Sequence, residues 1–338
     1  MKEIRGVLGD IENLWDKSLG EDGKEYIHPK LKNLGTVNIV LLREAIGPVI
    51  FRNAEEEITD IEVRDETYVR AVPNKFKYPE RSIGLQILRA MKAGGKCPQN
   101  RTSVKGKLPS EAFDLNALVF GDSSSGKSVY PVKAAVNYSD ALSLLSKINC
   151  VEETMHIRAM EDGTLFYAKE EKQESSKHIF PRHFIRPGIL MLQVLSTRGK
   201  LLPMEGLDHL LICLGIAGTY GGQTSVTGTN IRTHIVGIYG ATFEPEQGSP
   251  YVLIEEMRKQ KADLTDQAVI ENWLHETMKQ NHQISIDAET AQAYQADLIK
   301  RFEDDDKRLR DAYQHAKEKV GEFFNAWFSG NTKGKKIA

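Results

Sequence analysis

Gly215-Ile-Ala-Gly-Thr-Tyr-Gly-Gly-Gln-Thr-Ser-Val-Thr-Gly-Thr-Asn-Ile-Arg-Thr-His-Ile-Val-Gly-Ile238 is the stretch on which the reading of the chain turns. Leu207, Leu210, Leu211 and Leu214 recur at helical spacing just before it, which predicts a buried helix leading in. Gly215, Gly218, Gly221, Gly222 and Gly228 then break the helical pattern and open backbone conformations that other residues avoid. Ile231, Thr233, Ile235 and Gly237 alternate with Arg232, His234, Val236 and Ile238, the period of a half-buried strand. Helix, glycine-rich loop, strand is the expected order. The loop also carries Thr219, Tyr220, Gln223, Thr224, Ser225, Thr227 and Asn230. Bare amides beside hydroxyls and one arginine suit a polyanion such as phosphate; a glycine-rich connection with no ligand is the alternative.

Working outward, residues 188–197 and 35–46 are apolar and β-branched, two predicted strands, the second ended by Gly47-Pro48. Ile83, Leu85, Ile87, Leu88 and Met91 predict a helix over about 82–91, with Pro73 and Pro79 marking loop before it. Residues 113–120 read as a strand and 138–148 as a short helix, while Asp10 is placed to cap a helix over 11–18. Residues 155–158 and 164–169 are expected to pair as a hairpin around Glu161-Asp162-Gly163. Strand, helix, interrupted strand, then strand, helix, loop, strand makes two βαβ-like halves. The expected fold class is therefore α+β, an RRM-like (ferredoxin-like) core with large insertions and a helical C-terminal region. The core is set at 35–245, interrupted by a lid-like insertion over about 93–112 and a hairpin or thumb insertion over about 150–182. Helical stripes such as Val269, Ile270, Trp273, Leu274 and Met278 place the helical region at 251–330.

The 338 residues, 40% of them apolar, can bury one large or two moderate cores. No run of about 18 apolar residues predicts a membrane span, and the N-terminus lacks an apolar signal core, so a cytoplasmic location without membrane contact is expected. Three widely spaced cysteines, Cys97, Cys150 and Cys213, argue against a disulfide framework. The net charge of −2 hides an uneven distribution. Residues 53–66 hold seven acids against one base, residues 70–133 twelve bases against four acids, and residues 177–240 six bases against two acids. This pattern fits a basic groove with an acidic docking face, against ordinary surface charge as the plainer reading.

Gly121-Asp-Ser-Ser-Ser-Gly-Lys-Ser128 matches the phosphate-binding loop pattern letter by letter and follows a predicted strand. In such a site Lys127 would reach the terminal phosphates and Ser128 a magnesium ion. The motif must open a helix, however, and Val129-Tyr130-Pro131-Val132 favours extended backbone. A nucleotide-binding NTPase stands as the alternative function; a serine-rich surface loop with Lys127 facing phosphate is preferred. Cys97, Cys150, His156, His178 and His183 offer zinc-ligand chemistry, but no Cys-x-x-Cys pair is present, so neither a metal nor a cofactor is expected. No G-x-S-x-G or Cys/His frame points to a hydrolytic nucleophile. The carboxylates between Glu55 and Glu66 read as a solvated or docking surface.

The glycine loop followed by Arg232-Thr-His-Ile-Val-Gly-Ile238 resembles the backbone subunit of type I-D CRISPR interference (Cascade) complexes, within the repeat-associated mysterious protein superfamily. His183-Phe-Ile-Arg-Pro-Gly-Ile-Leu190, the loop Gly221 to Gly228, and the segment Leu118-Val-Phe-Gly121 carry the likeness, which spans about 35–245. The resemblance implies a non-catalytic scaffold of antiviral defence. Such a subunit polymerises along crRNA with further copies of itself and other Cascade subunits, and presents the guide to target DNA or RNA. It also implies that the loop over 218–228 and a helix start at Arg81-Ser82 face RNA phosphates, with the base-displacing hairpin inside 150–180. The RNA-binding set expected on this chain is Arg43, Lys75, Lys77, Arg81, Ser82, Arg101, Lys105, Lys107, Lys127 and Arg186, the loop residues Gly221, Gly222, Gln223, Thr224, Ser225 and Thr227, and Arg232 with His234. Related type III subunits cleave target RNA with an Asp after the first strand; Asp60 or Asp65 lies in that region, and cleavage by either stays open. Independently of the resemblance, binding that tolerates any guide sequence must rest on phosphates and sugars.

Overall fold

The computed structural model describes residues 1–30, 33–52, 58–95, 109–122, 132–157, 166–169, 172–175, 179–222 and 224–329. In chain order, β1 (Trp15–Leu19) and β2 (Glu25–Pro29) form a hairpin, and β3 (Thr36–Ala45) follows. Then come β4 (Asp60–Val63), β5 (Glu66–Ala71), α1 (Asn74–Ala90), α2 (Pro109–Ala112) and α3 (Leu115–Phe120). Next are β6 (Val136–Tyr138), β7 (Ala141–Ser146), α4 (Lys147–Cys150), β8 (Val151–Ile157), β9 (Phe166–Lys169), β10 (Lys172–Ser175) and β11 (Ile179–Ile185). The chain continues through β12 (Leu190–Thr197), α5 (Met204–Ile216), α6 (Thr224–Thr227) and β13 (Ile231–Ala241). It ends with α7 (Pro250–Lys259), α8 (Gln267–Asn281), β14 (Ile284–Asp287), α9 (Ala288–Glu303) and α10 (Lys307–Ser329).

One eight-stranded sheet organises the molecule, in the order β14-β13-β3-β12-β7-β5-β4 with β6 pairing β12, and each pairing is antiparallel. Its centre, β3, is buried along almost its whole length, so its residues must satisfy both faces. Val37, Ile39 and Leu41 point into one core with Phe76, Leu88, Leu210, Leu214, Leu298 and Phe324. Val40 and Leu42 point into a second core with Leu253, Met257, Ile270, Leu274 and Met278. Helices α1, α3, α5, α9 and α10 thus cover one face, and α7 and α8 the other. Among the described residues no helix is long and apolar enough to cross a membrane.

The long strands at 36–45, 190–197 and 231–241 and the helix at 204–216 lie where the sequence pattern puts them. Four local expectations are overturned. Residues 113–120 hold the helix α3, with the Asp114 carboxylate accepting from Ala117 N at 3.1 Å as its cap. Residues 138–148 hold strands, because Ala141, Leu142 and Leu144 bury against both cores; a short apolar run has no period to separate the two states. Helix α1 begins at Asn74 and runs through Pro79, its missing bond offset by the burial of Phe76, Ile87 and Leu88. Residues 15–19 form a strand, closed on its partner by a turn in which Gly20 N donates to Lys24 O at 2.8 Å.

The hairpin region pairs differently from the expectation as well. β8 pairs with β11, Val151 opposite Ile185 and Ile157 opposite Ile179. β9 pairs with β10, Lys169 opposite Lys172 and Phe166 opposite Ser175.

Candidate nucleic-acid interface

The glycine loop leaves α5 at Ile216 and is clasped by its own last residue. Asn230 accepts from Tyr220 N at 2.9 Å and returns a bond from Nδ2 to Tyr220 O at 2.9 Å, while its backbone N reaches Gly218 O at 2.9 Å. Gly221 is exposed and takes φ +84°, and a Cβ there would stand 2.5 Å from Ile50 O, so only glycine fits. Gly222 N donates to Ile50 O at 2.7 Å, laying the loop along the segment that follows β3.

That segment carries Arg52, exposed beside Gly222, and the Lys75 ammonium donates to Arg52 O from the first turn of α1. The glycine-loop backbone, Arg52 and Lys75 therefore meet in one place. Sequence reading missed Arg52, a single base behind an apolar run; its only signal is its position just after the strand that faces the loop.

A second basic cluster lies along α1. Lys77 and Arg81 are one turn apart, Lys77 sits over the Tyr138 ring at 5.9 Å, and Arg81 pairs with Asp122 at 3.3 Å. Burial pushes the Lys77 ammonium down from its ordinary value, and the charges of Arg81 and Arg198 add to this. Arg198, also missed from the sequence, joins the cluster through the chain that leaves β12. Arg81 and Ser82 lie two turns inside α1, so the expected helix start, with its free amides, is not there.

Arg43 is not a surface residue. It is wholly buried on the α1 face of the sheet, pairing with Glu80 at 2.7 Å and donating to Gln193 Oε1 at 3.0 Å and Thr233 Oγ1 at 2.8 Å. Burial opposes its charge, but the Glu80 carboxylate outweighs that and holds the guanidinium above the usual arginine range. Arg232 and His234 project from the opposite face, sharing Glu44 at 3.3 and 2.9 Å. Arg186 is exposed at the turn between β11 and β12, beside a cavity of about 250 Å³ lined also by Leu144, Leu190 and Leu264. Thr224 and Thr227 lie half-buried on α6, and Ser225 lies on the same turn. Arg101, Lys105, Lys107, Lys127 and Gln223 lie outside the described residues.

The alternative sites are placed as follows. Gly121 ends the helix α3, where the motif requires the end of a strand, and Asp122 and Val132 bond each other reciprocally at 3.0 and 2.9 Å, pinching the chain there. Residues 123–131 lie outside the described set. Among the described residues no group of three or more His, Cys, Asp or Glu is placed to hold a metal. Cys150 and Cys213 are free and buried, while Cys97 and His178 are outside the described residues. Asp60 is held by Lys147, and Asp65 and Glu66 lie 4.0 and 3.6 Å from Arg258 of α7, so this part of the acidic stretch is tied to the helical layer.

A family model described as Csc2 Crispr matches residues 27–320. Among solved structures, the crystal structure of Thermofilum pendens Csc2 is similar over 99% of this chain and 97% of that one, with 14% identity and a TM-score of 0.60. A chain of a CRISPR RNA-guided surveillance complex, pre-nicking, is similar over 74% of this chain and 90% of that one, with 11% identity and a TM-score of 0.48. A chain of a type IV-B CRISPR complex gives 13% identity, 59% and 90% coverage and a TM-score of 0.41. No curated protein sequence matches.

Proposed function

The chain belongs to the Csc2 family of CRISPR proteins, and on that premise we propose that it is the crRNA-binding backbone subunit of a type I-D Cascade complex. It polymerises along the guide with further copies of itself and other Cascade subunits, and offers the guide's bases to target DNA or RNA. It acts as a scaffold, without a catalytic residue.

The observation that carries the reading is the meeting of the glycine loop with Arg52 and Lys75 beside a second basic cluster at Lys77, Arg81 and Arg198. Cations beside a backbone bare of side chains bind phosphates whatever the base sequence. The sheet supports an RRM-like core. Taking β3, β7, β12 and β13 as first to fourth strands gives the spatial order fourth, first, third, second, all antiparallel, with α1 and α5 on one face. Helices α7 and α8 occupy the other face, where an RRM stacks bases on aromatics, which favours backbone recognition here. The pinched chain at Asp122 and Val132 speaks against the nucleotidase alternative.

Purified full-length protein is expected to bind single-stranded RNA of unrelated sequences with similar affinity. With about four phosphates held per protomer, log K should fall with log salt at a slope of about −2.8. Absent or salt-insensitive binding would overturn the reading. Lys127→Ala separates it from the nucleotidase, which would lose all turnover, whereas the scaffold merely binds RNA less well.

A further inference from the structure

Beneath the glycine loop lies a wholly buried set of polar groups that cannot touch RNA. Glu80 of α1 stands at its centre, paired with Arg43 at 2.7 Å and accepting from Tyr138 Oη at 2.5 Å and Tyr220 Oη at 2.9 Å. The second terminal nitrogen of Arg43 finds no acceptor among the described residues, so the guanidinium depends on Glu80, Gln193 and Thr233. Tyr220 is a loop residue. Its ring packs on Phe76 at 5.1 Å, Phe76 packs on Phe51 at 5.2 Å, and its backbone is held by Asn230. The next residue is Gly221, already in close approach to Ile50.

We propose that Glu80 is a positioning residue for RNA binding, holding the glycine loop at a fixed height over α1 through the Tyr220 hydroxyl. This rests on the RNA-binding reading above. The loop has its own clasp at Asn230, but that clasp joins the loop to itself and to the chain leaving β3, through Pro48 O at 3.3 Å and the backbone N of Ile46 and Gly47 at 2.9 and 3.3 Å, and not to α1. Beside the packing of the Tyr220 ring on Phe76, the bond to Glu80 is what ties it to the helix that carries Lys75 and Lys77. The same carboxylate, through Arg43, joins that helix to β3 and, at Thr233, to β13. The loop backbone and the helix lysines are thereby kept in one register, which a polyanion with fixed phosphate spacing requires.

Two hydroxyls on one carboxylate give an internal control. Tyr220→Phe and Tyr138→Phe each delete one bond to Glu80 and keep a buried ring, but only Tyr220 belongs to the loop. The full-length variants are compared for thermal unfolding, for binding of single-stranded polyuridine at one salt concentration, and for amide hydrogen exchange at residues 218–222. Tyr220→Phe is expected to weaken binding and to speed exchange at those amides about tenfold each, the worth of one hydrogen bond to a charged group. Tyr138→Phe is expected to lose comparable stability with binding and loop exchange near wild type. Equal loss of binding in the two variants, or unchanged loop exchange in Tyr220→Phe, overturns the proposal. If the wild-type chain does not bind polyuridine, the RNA reading falls, and the exchange comparison alone decides whether Glu80 positions the loop.

Discussion

Arg43 and Arg232 lie one register step apart on neighbouring strands, Arg43 opposite Thr233 and Arg232 opposite Glu44, yet they live in different solvents. The Arg43 side chain is 0% exposed and the Arg232 side chain 60%. Strand alternation puts them on opposite faces; what covers each face does the rest. Helix α1 lies over Arg43 and brings Glu80, whereas the helices on the other side bury Val40, Leu42 and Val236 and leave Glu44 and Arg232 near the open end of the sheet. A charge under a helix must be paired within the protein, while a charge at the rim is also solvated by water. The first kind sets shape, and the second is left over for a ligand.

The hardest test of that division is to remove the buried cation. Arg43→Met leaves Glu80 charged and unpaired inside the core, and is expected to cost about 3–5 kcal/mol in urea unfolding. Adding Glu80→Leu should recover part of the loss, because it removes the unpaired charge but leaves the Tyr138 and Tyr220 hydroxyls without that acceptor. A double variant as unstable as the single one would show that packing around Arg43, rather than charge matching, carries the cost.

Two neighbours on α5 extend the comparison to pH. Burial raises the Asp208 carboxyl to about 6, with the Tyr294 hydroxyl at 2.7 Å opposing the rise, and burial lowers the His209 imidazole to about 3. Below the ordinary histidine value of about 6.5 the unfolded chain takes up a proton that folded His209 refuses, so stability falls with pH by about 1.4 kcal/mol per unit. Between about 6 and about 4 folded Asp208 holds a proton that the unfolded chain has released, so its contribution rises by the same slope as pH falls. The two offset each other in that window. Asp208→Asn should therefore make unfolding free energy drop more steeply from pH 6 to pH 4 than in the wild type. Parallel curves would place the offset elsewhere.

At the surface the readout is RNA rather than stability. Lys75→Ala and Arg52→Ala are each expected to leave the unfolding midpoint nearly unchanged. Each should reduce the magnitude of the salt slope of RNA binding by about 0.7, one phosphate contact apiece. A lowered midpoint with an unchanged slope would move that residue to the structural class of Arg43.

How much of this is legible in the sequence follows from the same physics. The strand at 36–45 announces itself because burial on both faces leaves ten residues without room for a surface pattern, and the helix at 204–216 because its leucines keep their period. Helix α3 and strand β7 defeat the reading since each is a short apolar run buried all round, where only tertiary partners choose the backbone. Arg43 is expected among the RNA ligands and is instead wholly buried. Its apolar neighbours Val40, Leu41 and Leu42 pointed inward, but its partner Glu80 comes from a helix whose first two turns the prolines had disguised as loop. The glycine loop was legible as a loop, and its tie to Glu80 was not, since nothing in Thr-Tyr-Gly-Gly says where a tyrosine points.

The smallest expected effect falls on Arg232. Its pair with Glu44 is exposed at the rim, and such pairs are worth about 0–1 kcal/mol. Arg232→Ala should therefore cost under about 1 kcal/mol at low salt and less at high salt, where the pair is screened anyway. His234, at 2.9 Å, still satisfies the carboxylate that Arg232 leaves behind. Its effect on RNA should be small too. An arginine already held by a carboxylate must exchange that partner to meet a phosphate, and the freed Glu44 then repels the same phosphate. The change in salt slope should fall below the figure of about 0.7 for an unencumbered cation. A full slope change would mean that RNA draws Arg232 off Glu44, and the rim of the sheet would join the glycine loop as part of the binding surface.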